Sequence, residues 1–275
     1  MYENITIPEP FGATENFHQL PKFLQNGIAA SRWEERYSTP FHYQESMKNM
    51  YALITQIDQS FKEIIDEVKR LGLYDNTMII ITADNGMFNG AHGLAGKWFP
   101  YQESIRVPLI IHDPRMPKEK QGTVDESFTL NVDLAETILG AAGLRPNERM
   151  QGRDISDLYL DNYDDSGKTA LEREPWRDEF FYEFTYLEEN SIPSSNALVR
   201  KKWKFIDWYA FNETQLFDLE KDPLELNDVK GDPANKGIVN EMKGRLVEMR
   251  EKLKEPEIGC ETGKYFLESE EAKPR

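Results

Sequence analysis

"MIIITADNGMFNGAHGLAGKWFPYQESIRVPLIIH", residues 78–112, sets two apolar runs on either side of a loop that holds an acid, an amide, a histidine, a lysine and several glycines. Met78-Ile79-Ile80-Ile81-Thr82 is a continuous, β-branched run of the kind found in parallel strands covered on both faces. The chain returns to the same composition from Val107 to His112. In open α/β sheets the reactive groups gather just beyond the carboxyl ends of the strands, and Asp84 and Asn85 stand there. A carboxylate beside an amide carbonyl offers hard oxygen ligands suited to Ca2+ or Mg2+, and Gly86 permits a tight bend after them. Asp-Asn-Gly is also an ordinary turn, and two ligands cannot hold a hard cation unaided. Gly90, Gly93 and Gly96 surround His92 and Lys97. A lysine on a tight loop near a divalent ion is a natural clamp for an anionic oxygen, although a solvated loop lysine is the plainer reading.

Upstream, Met47, Met50, Tyr51, Ile54, Ile57, Phe61, Ile64, Ile65, Val68 and Leu71 recur at steps of three and four from Gln44 onward. This predicts one long amphipathic helix stopped at Gly72. Helix into buried strand predicts an α/β fold. The first forty or so residues are rich in Pro, Asn and Phe without a sustained period, and read as an extended arm with no core of its own. Downstream, Phe180–Phe184, Asn196–Arg200, Trp203–Trp208 and Gln215–Asp218 fit short antiparallel strands, with Lys201-Lys202 at a turn. A helix is expected over residues 236–254, with Ile238, Val239, Met242, Leu246, Met249 and Leu253 on one face. The tail after Glu255 is charged and aperiodic.

Charge and length bound the function. The chain has 275 residues and a formal net charge of -16, so its surface repels nucleic acid and anionic membranes, and an anionic substrate needs a local basic pocket. No run of 18 or so apolar residues predicts a membrane span, and the first residues carry no export signal. A single cysteine, Cys260, excludes an internal disulfide and a thiolate metal cluster.

Taken together, Asp75-Asn76-Thr77, the apolar strand, Asp84-Asn85-Gly86, His92-Gly93, Gly96-Lys97 and Tyr101-Gln102-Glu103-Ser104-Ile105-Arg106-Val107-Pro108-Leu109 resemble the second metal-ligand block of the sulfatase family, within the alkaline phosphatase-like superfamily. The likeness continues through Asn131-Val132-Asp133-Leu134, Ala142-Gly143-Leu144 and Met150-Gln151-Gly152-Arg153. It reaches Leu198-Val199-Arg200, Trp203-Lys204-Phe205 and the run from Gln215 to Asn227, which is similar to the family's C-terminal hairpin region. The implied architecture is a partial alkaline phosphatase-like core with a mostly parallel sheet over residues 1–165. A smaller α+β subdomain with an antiparallel sheet follows over residues 166–275.

The resemblance implies hydrolysis of sulfate esters or sulfamates on a sulfated small molecule or glycan, with Ca2+ or Mg2+ as cofactor. Asp84 and Asn85 match the metal-binding pair. Lys97 matches the lysine that contacts the sulfate oxygens and stabilises charge on the leaving oxygen. His92 matches a substrate-binding position, with Ala91 where the family has an acid, and a structural histidine is the competing reading. The family's nucleophile is a formylglycine made within a C/S-x-P-x-R motif, and no such motif is encoded here. Ser191-Ile192-Pro193-Ser194-Ser195 ends in serine where arginine belongs and reads as a loop, and Cys260 has no proline two residues on. The expectation is the C-terminal part of a sulfatase, inactive alone and completed by an N-terminal half. A phosphate or phosphonate ester hydrolase of the same superfamily, or a non-catalytic binding module, are the alternatives. Trp203, Trp208 and Tyr209 are positioned either to stack on a substrate ring or simply to pack.

Overall fold

The computed structural model describes residues 1–12, 16–147, 149–160, 175–185 and 192–253. Cys260, the charged tail and the 165/166 division lie outside them, as does Ser191. The order of elements is α1 (Lys22–Gln25), α2 (Ile28–Tyr37), α3 (Pro40–Arg70), β1 (Ile79–Thr82), α4 (Gln102–Ile105), β2 (Leu109–His112), α5 (Asp133–Ala141), β3 (Glu179–Phe184), β4 (Ser195–Arg200), β5 (Trp203–Trp208), β6 (Glu213–Asp218) and α6 (Lys236–Leu253).

The long helix α3 begins ahead of the apolar period because its cap does. Thr39 accepts a hydrogen bond from the His42 N–H at 3.2 Å, and Pro40 pre-sets the first turn. Its end is a Schellman motif. The Leu73 N–H reaches Val68 O at 3.1 Å, the Gly72 N–H reaches Lys69 O at 3.0 Å, and Gly72 sits at φ +69°, a backbone that glycine adopts without strain.

Two expectations are corrected. The arm is not extended throughout: residues 28–37 form helix α2, and Leu20, Leu24, Ala29 and Ala30 are buried in the main core. β1 and β2 pair antiparallel, Ile79 opposite His112 and Thr82 opposite Leu109, where a mostly parallel sheet is expected. The connection between them reverses the chain through a loop and the single turn of α4, without the crossover helix a parallel pair requires.

The C-terminal strands form the expected antiparallel meander, β3-β4-β5-β6. Neighbouring residues point to opposite faces, and both faces are covered. Leu198, Phe205 and Leu216 pack on Met242 and Leu246 of α6. Ala197, Ile206 and Phe217, with Trp208, face the other way and pack on Phe88, Leu94, Phe99 and Tyr101 from the loop between β1 and β2, joined by Leu24 and Ala29. The larger core is therefore shared between the loop of residues 83–108 and the meander. Trp208 is fully buried there and donates to Gln215 Oε1 at 3.0 Å, so it packs and cannot stack on a ligand.

Candidate functional site

Asp84 and Asn85 stand in the first turn beyond β1. The Asn85 N–H is bonded to Asp84 Oδ1 at 2.9 Å, and the Asn85 amide donates to Gly86 O at 2.9 Å. That leaves Asn85 Oδ1 free to accept from Lys97 Nζ at 2.7 Å, while Asp84 Oδ2 lies 3.8 Å from the same ammonium. A carboxylate and an amide oxygen thus converge on one cationic atom at an open surface: the Asp84 side chain is 84% exposed and that of Lys97 40%. Gly86 matters through close approach more than through its own bend. Its N–H donates to Ser104 O at 2.8 Å, and a Cβ added there would stand 2.0 Å from Glu103 O. The turn of residues 84–86 is therefore pressed onto the backbone of α4.

The loop between is held by backbone bonds to itself, Phe88 N–H to Gly96 O at 2.9 Å and Gly90 N–H to Leu94 O at 3.1 Å. A third bond, Ala95 N–H to Ala29 O at 2.9 Å, ties it to α2. Left-handed backbone is concentrated here. Besides Gly90, Gly93 and Gly96, the residues Asn89, His92 and Trp98 have φ of +50°, +57° and +89°. Each non-glycine case costs of order 1–3 kcal/mol and persists only where surrounding contacts impose it.

His92 is not at the open surface. It is 1% exposed, with Nδ1 2.7 Å from Asn16 Oδ1 and Nε2 3.3 Å from Glu103 Oε2. The carboxylate partner missing at Ala91 is supplied by Glu103, from the far end of the loop. Burial alone would raise the Glu103 carboxyl, but the His92 hydrogen bond and the charges of His92 and Lys204 outweigh it and hold the group below its ordinary value. The structure therefore brings Asp84, Asn85 and Lys97 together and sets His92 beneath them as a brace.

Beneath α4 lies a second buried arrangement. Lys204 of β5 and Glu225 are both wholly buried, with Lys204 Nζ 2.5 Å from Glu225 Oε1, and Glu225 Oε2 accepts from the Gln102 N–H at 2.6 Å. The first turn of α4, which no side chain of its own caps, is thus capped from the C-terminal region. Burial pushes Lys204 down and Glu225 up from their ordinary values, each against the pull of the other. Tyr101 OH completes the contact by donating to Gln215 Oε1 at 2.8 Å. Reading the sequence missed Asn16, Glu103, Lys204 and Glu225 as supports. Only the position of Glu225 within the Asp222-Pro223-Leu224-Glu225 run hinted at one.

The oxygens of Asp84 and Asn85 converge on the Lys97 ammonium, a stand-in cation, so their placement fits part of a divalent-ion shell. Among the described residues there is no group of three or more acidic, histidine or cysteine side chains able to hold a metal by itself. No helix among the described residues is long and apolar enough to cross a membrane.

Comparison with known proteins identifies the family and the fold. The family profile described as N-sulphoglucosamine sulphohydrolase, C-terminal, matches residues 90–252, and the Sulfatase profile matches residues 15–144. An N-acetylglucosamine-6-O-sulfatase of Bacteroides thetaiotaomicron is 31% identical over 191 residues, which is 69% of this chain and 33% of that protein. An arylsulfatase of Clostridium perfringens is 31% identical over 204 residues, 71% of this chain and 40% of that one. Among solved structures, one in complex with its substrate D-glucosamine-2-N,6-O-disulfate superposes with a TM-score of 0.68 at 28% identity, covering 78% of this chain and 42% of the other. The phosphonate monoester hydrolase of Agrobacterium radiobacter gives 0.67 at 26% identity, covering 78% and 43%. The chain spans between a third and two fifths of the length of these two curated relatives.

Proposed function

Because the chain belongs to the sulfatase family, we propose that it forms the metal-binding and sulfate-clamping part of an enzyme that hydrolyses sulfate esters of an amino sugar or related glycan. The observation that carries this is the convergence of Asp84 and Asn85 oxygens on the Lys97 ammonium at an open loop edge. In this reading Asp84 and Asn85 would hold a hard divalent cation, Ca2+ or Mg2+, which would supply charge stabilisation to a bound sulfate. Lys97 then exchanges the amide oxygen for a sulfate oxygen and offsets the negative charge that develops as the ester bond breaks. His92 and Glu103 keep the loop in its strained form, and the Lys204–Glu225 pair fixes the turn beneath it. Formylglycine does not fit these residues, since no C/S-x-P-x-R motif occurs in the sequence, and attack on sulfur is assigned to a group outside it, on the same or a second polypeptide. The relative that is solved with a disulfated glucosamine favours a sulfated sugar as the substrate.

A second reading, hydrolysis of phosphonate or phosphate esters, draws on the phosphonate monoester hydrolase neighbour. Calorimetry separates the two. Calcium should bind weakly, at about 10⁻⁴–10⁻³ M, because two side chains fill little of a six- to eight-oxygen shell, and Asp84→Ala should abolish it. With calcium present, sulfate should bind and be lost in Lys97→Ala. Phosphate binding in preference to sulfate would favour the second reading, and calcium binding unchanged in Asp84→Ala would end both. The chain by itself should show no aryl sulfate turnover above its Asp84→Ala variant.

A further inference from the structure

Lys97 is followed by Trp98, and Trp98 holds an unusual partner. Its backbone is left-handed at φ +89°, fixed in place by Tyr182 OH, which donates to Trp98 O at 2.8 Å. Its ring folds over Gly96, where an added Cβ would come within 2.8 Å of it. Over the indole lies the Arg32 guanidinium of α2, 5.1 Å from the ring centroid. α2 is itself pinned to the loop one turn earlier, through Ala29 O and the Ala95 N–H. Among the described residues Arg32 is paired with no carboxylate, in a chain with 49 acidic against 33 basic residues. An aromatic face orients a guanidinium without neutralising it and without using any of its N–H donors, which lie in the plane of the group. A salt bridge would have consumed both.

We propose that Arg32, shelved on Trp98, is a specificity-determining residue that receives a second anionic group, sulfate or carboxylate, on the same saccharide whose sulfate ester Lys97 clamps. The proposal rests on the reading of Asp84, Asn85 and Lys97 as the sulfate site and adds to it a demand on the substrate: two negative charges, one for Lys97 of the loop and one for Arg32 of α2. A fixed guanidinium suits planar, two-point recognition of an oxyanion, which a lysine at the same place would not reproduce.

The full chain, ¹⁵N-labelled and in calcium, is titrated with N-acetylglucosamine 6-sulfate, glucosamine N,6-O-disulfate, and a disaccharide of N-acetylglucosamine 6-sulfate with a uronic acid. The readout is the indole N–H resonance of Trp98, assigned by its loss in Trp98→Phe. One or both doubly charged sugars should bind about tenfold more tightly than the monosulfate, and which of them does so tells sulfate from carboxylate. Arg32→Gln should reduce that sugar to the affinity of the monosulfate while leaving the monosulfate within about twofold, and Arg32→Lys should recover only part of the difference. Lys97→Ala should weaken all three alike. A wild-type chain that binds the monosulfate as tightly as the others overturns the proposal alone. So does an Arg32→Gln variant with a native spectrum that keeps the preference or weakens every sugar equally. Binding of none of them overturns this proposal together with the sulfate-site reading.

Discussion

The meander β3–β6 on one hand, and helix α3 and the β1–β2 ribbon on the other, are both rich in apolar side chains, yet only the first is covered on both faces. Tyr43 and Met47 of α3 and Leu109 and Ile111 of β2 pack on one side alone. Leu198, Ile206 and Leu216 are fully buried between α6 on one side and the site loop on the other. On α3 the residues Ile54, Ile57 and Ile64 are 52%, 52% and 60% exposed, and Ile110 of β2 is 59% exposed. Apolar periodicity states which face wants cover, not whether this chain supplies it. The site lies on the covered side of that divide, because its loop is a layer of the shared core and owes its shape to residues more than a hundred positions away.

The largest effect should come from the buried pair that joins the two sequence regions. Glu225→Ala leaves the Lys204 ammonium in the core without its counter-charge and the Gln102 N–H without its acceptor, for a cost of about 3–5 kcal/mol. Urea unfolding measures it, and a cost below about 1 kcal/mol would mean the loop does not depend on the meander. Leu198→Ala, a pure packing loss on the other face of the sheet, should cost about 2–5 kcal/mol. It should also leave calcium binding at Asp84 unchanged in the protein that remains folded, whereas Glu225→Ala should weaken it by loosening α4 beneath Gly86.

Much of this was legible because the signals were local. The four C-terminal strands, α6 and the stop at Gly72 follow from period, turn residues and a glycine at φ +69°, none of which depends on distant chain. The grouping of Asp84, Asn85 and Lys97 on one short loop was legible as well, from their spacing alone. What could not be read was long-range pairing. No local pattern tells that Glu103 would reach back to His92, that Asn16 would meet its other nitrogen, or that a glutamate at 225 would cap a helix at 102. The direction in which β1 and β2 pair could not be read for a related reason. An apolar run reports burial, while parallel or antiparallel pairing is decided by the connection, here a loop that folds back on itself.

A smaller effect concerns the brace under the site and depends on pH. Glu103 is held below its ordinary carboxylate value in the folded chain. Such a group stabilises the fold above its unfolded value, near 4.5, and loses that contribution as the pH falls through the folded value. Glu103→Gln keeps the shape and removes the titration. Its stability should therefore fall less steeply than that of the wild type below about pH 4.5, and at neutral pH it should lie below the wild type. Parallel urea midpoints from pH 7 to pH 3 test this, and identical slopes would show that the His92–Glu103 contact carries no net electrostatic stabilisation.

The smallest effect sharpens the comparison most. Ile57 lies mid-helix on the uncovered face of α3, half exposed, with more than three turns of helix on either side. In the fold as described, Ile57→Lys removes little buried area and sets a good helix former at an exposed position, so unfolding free energy should change by no more than about 0.5 kcal/mol. The lysine also interrupts an apolar strip that water now wets, so the variant should elute from size-exclusion chromatography as a sharper monomer and stay soluble at higher concentration. The contrast with Leu198→Ala is the point: two aliphatic residues of similar size, separated by several kcal/mol only because one face is covered. A loss above about 2 kcal/mol in Ile57→Lys, or a melting temperature that rises with protein concentration in the wild type and not in the variant, would show that α3 is buried in solution against another copy. Its apolar face would then belong with the meander and not opposite it.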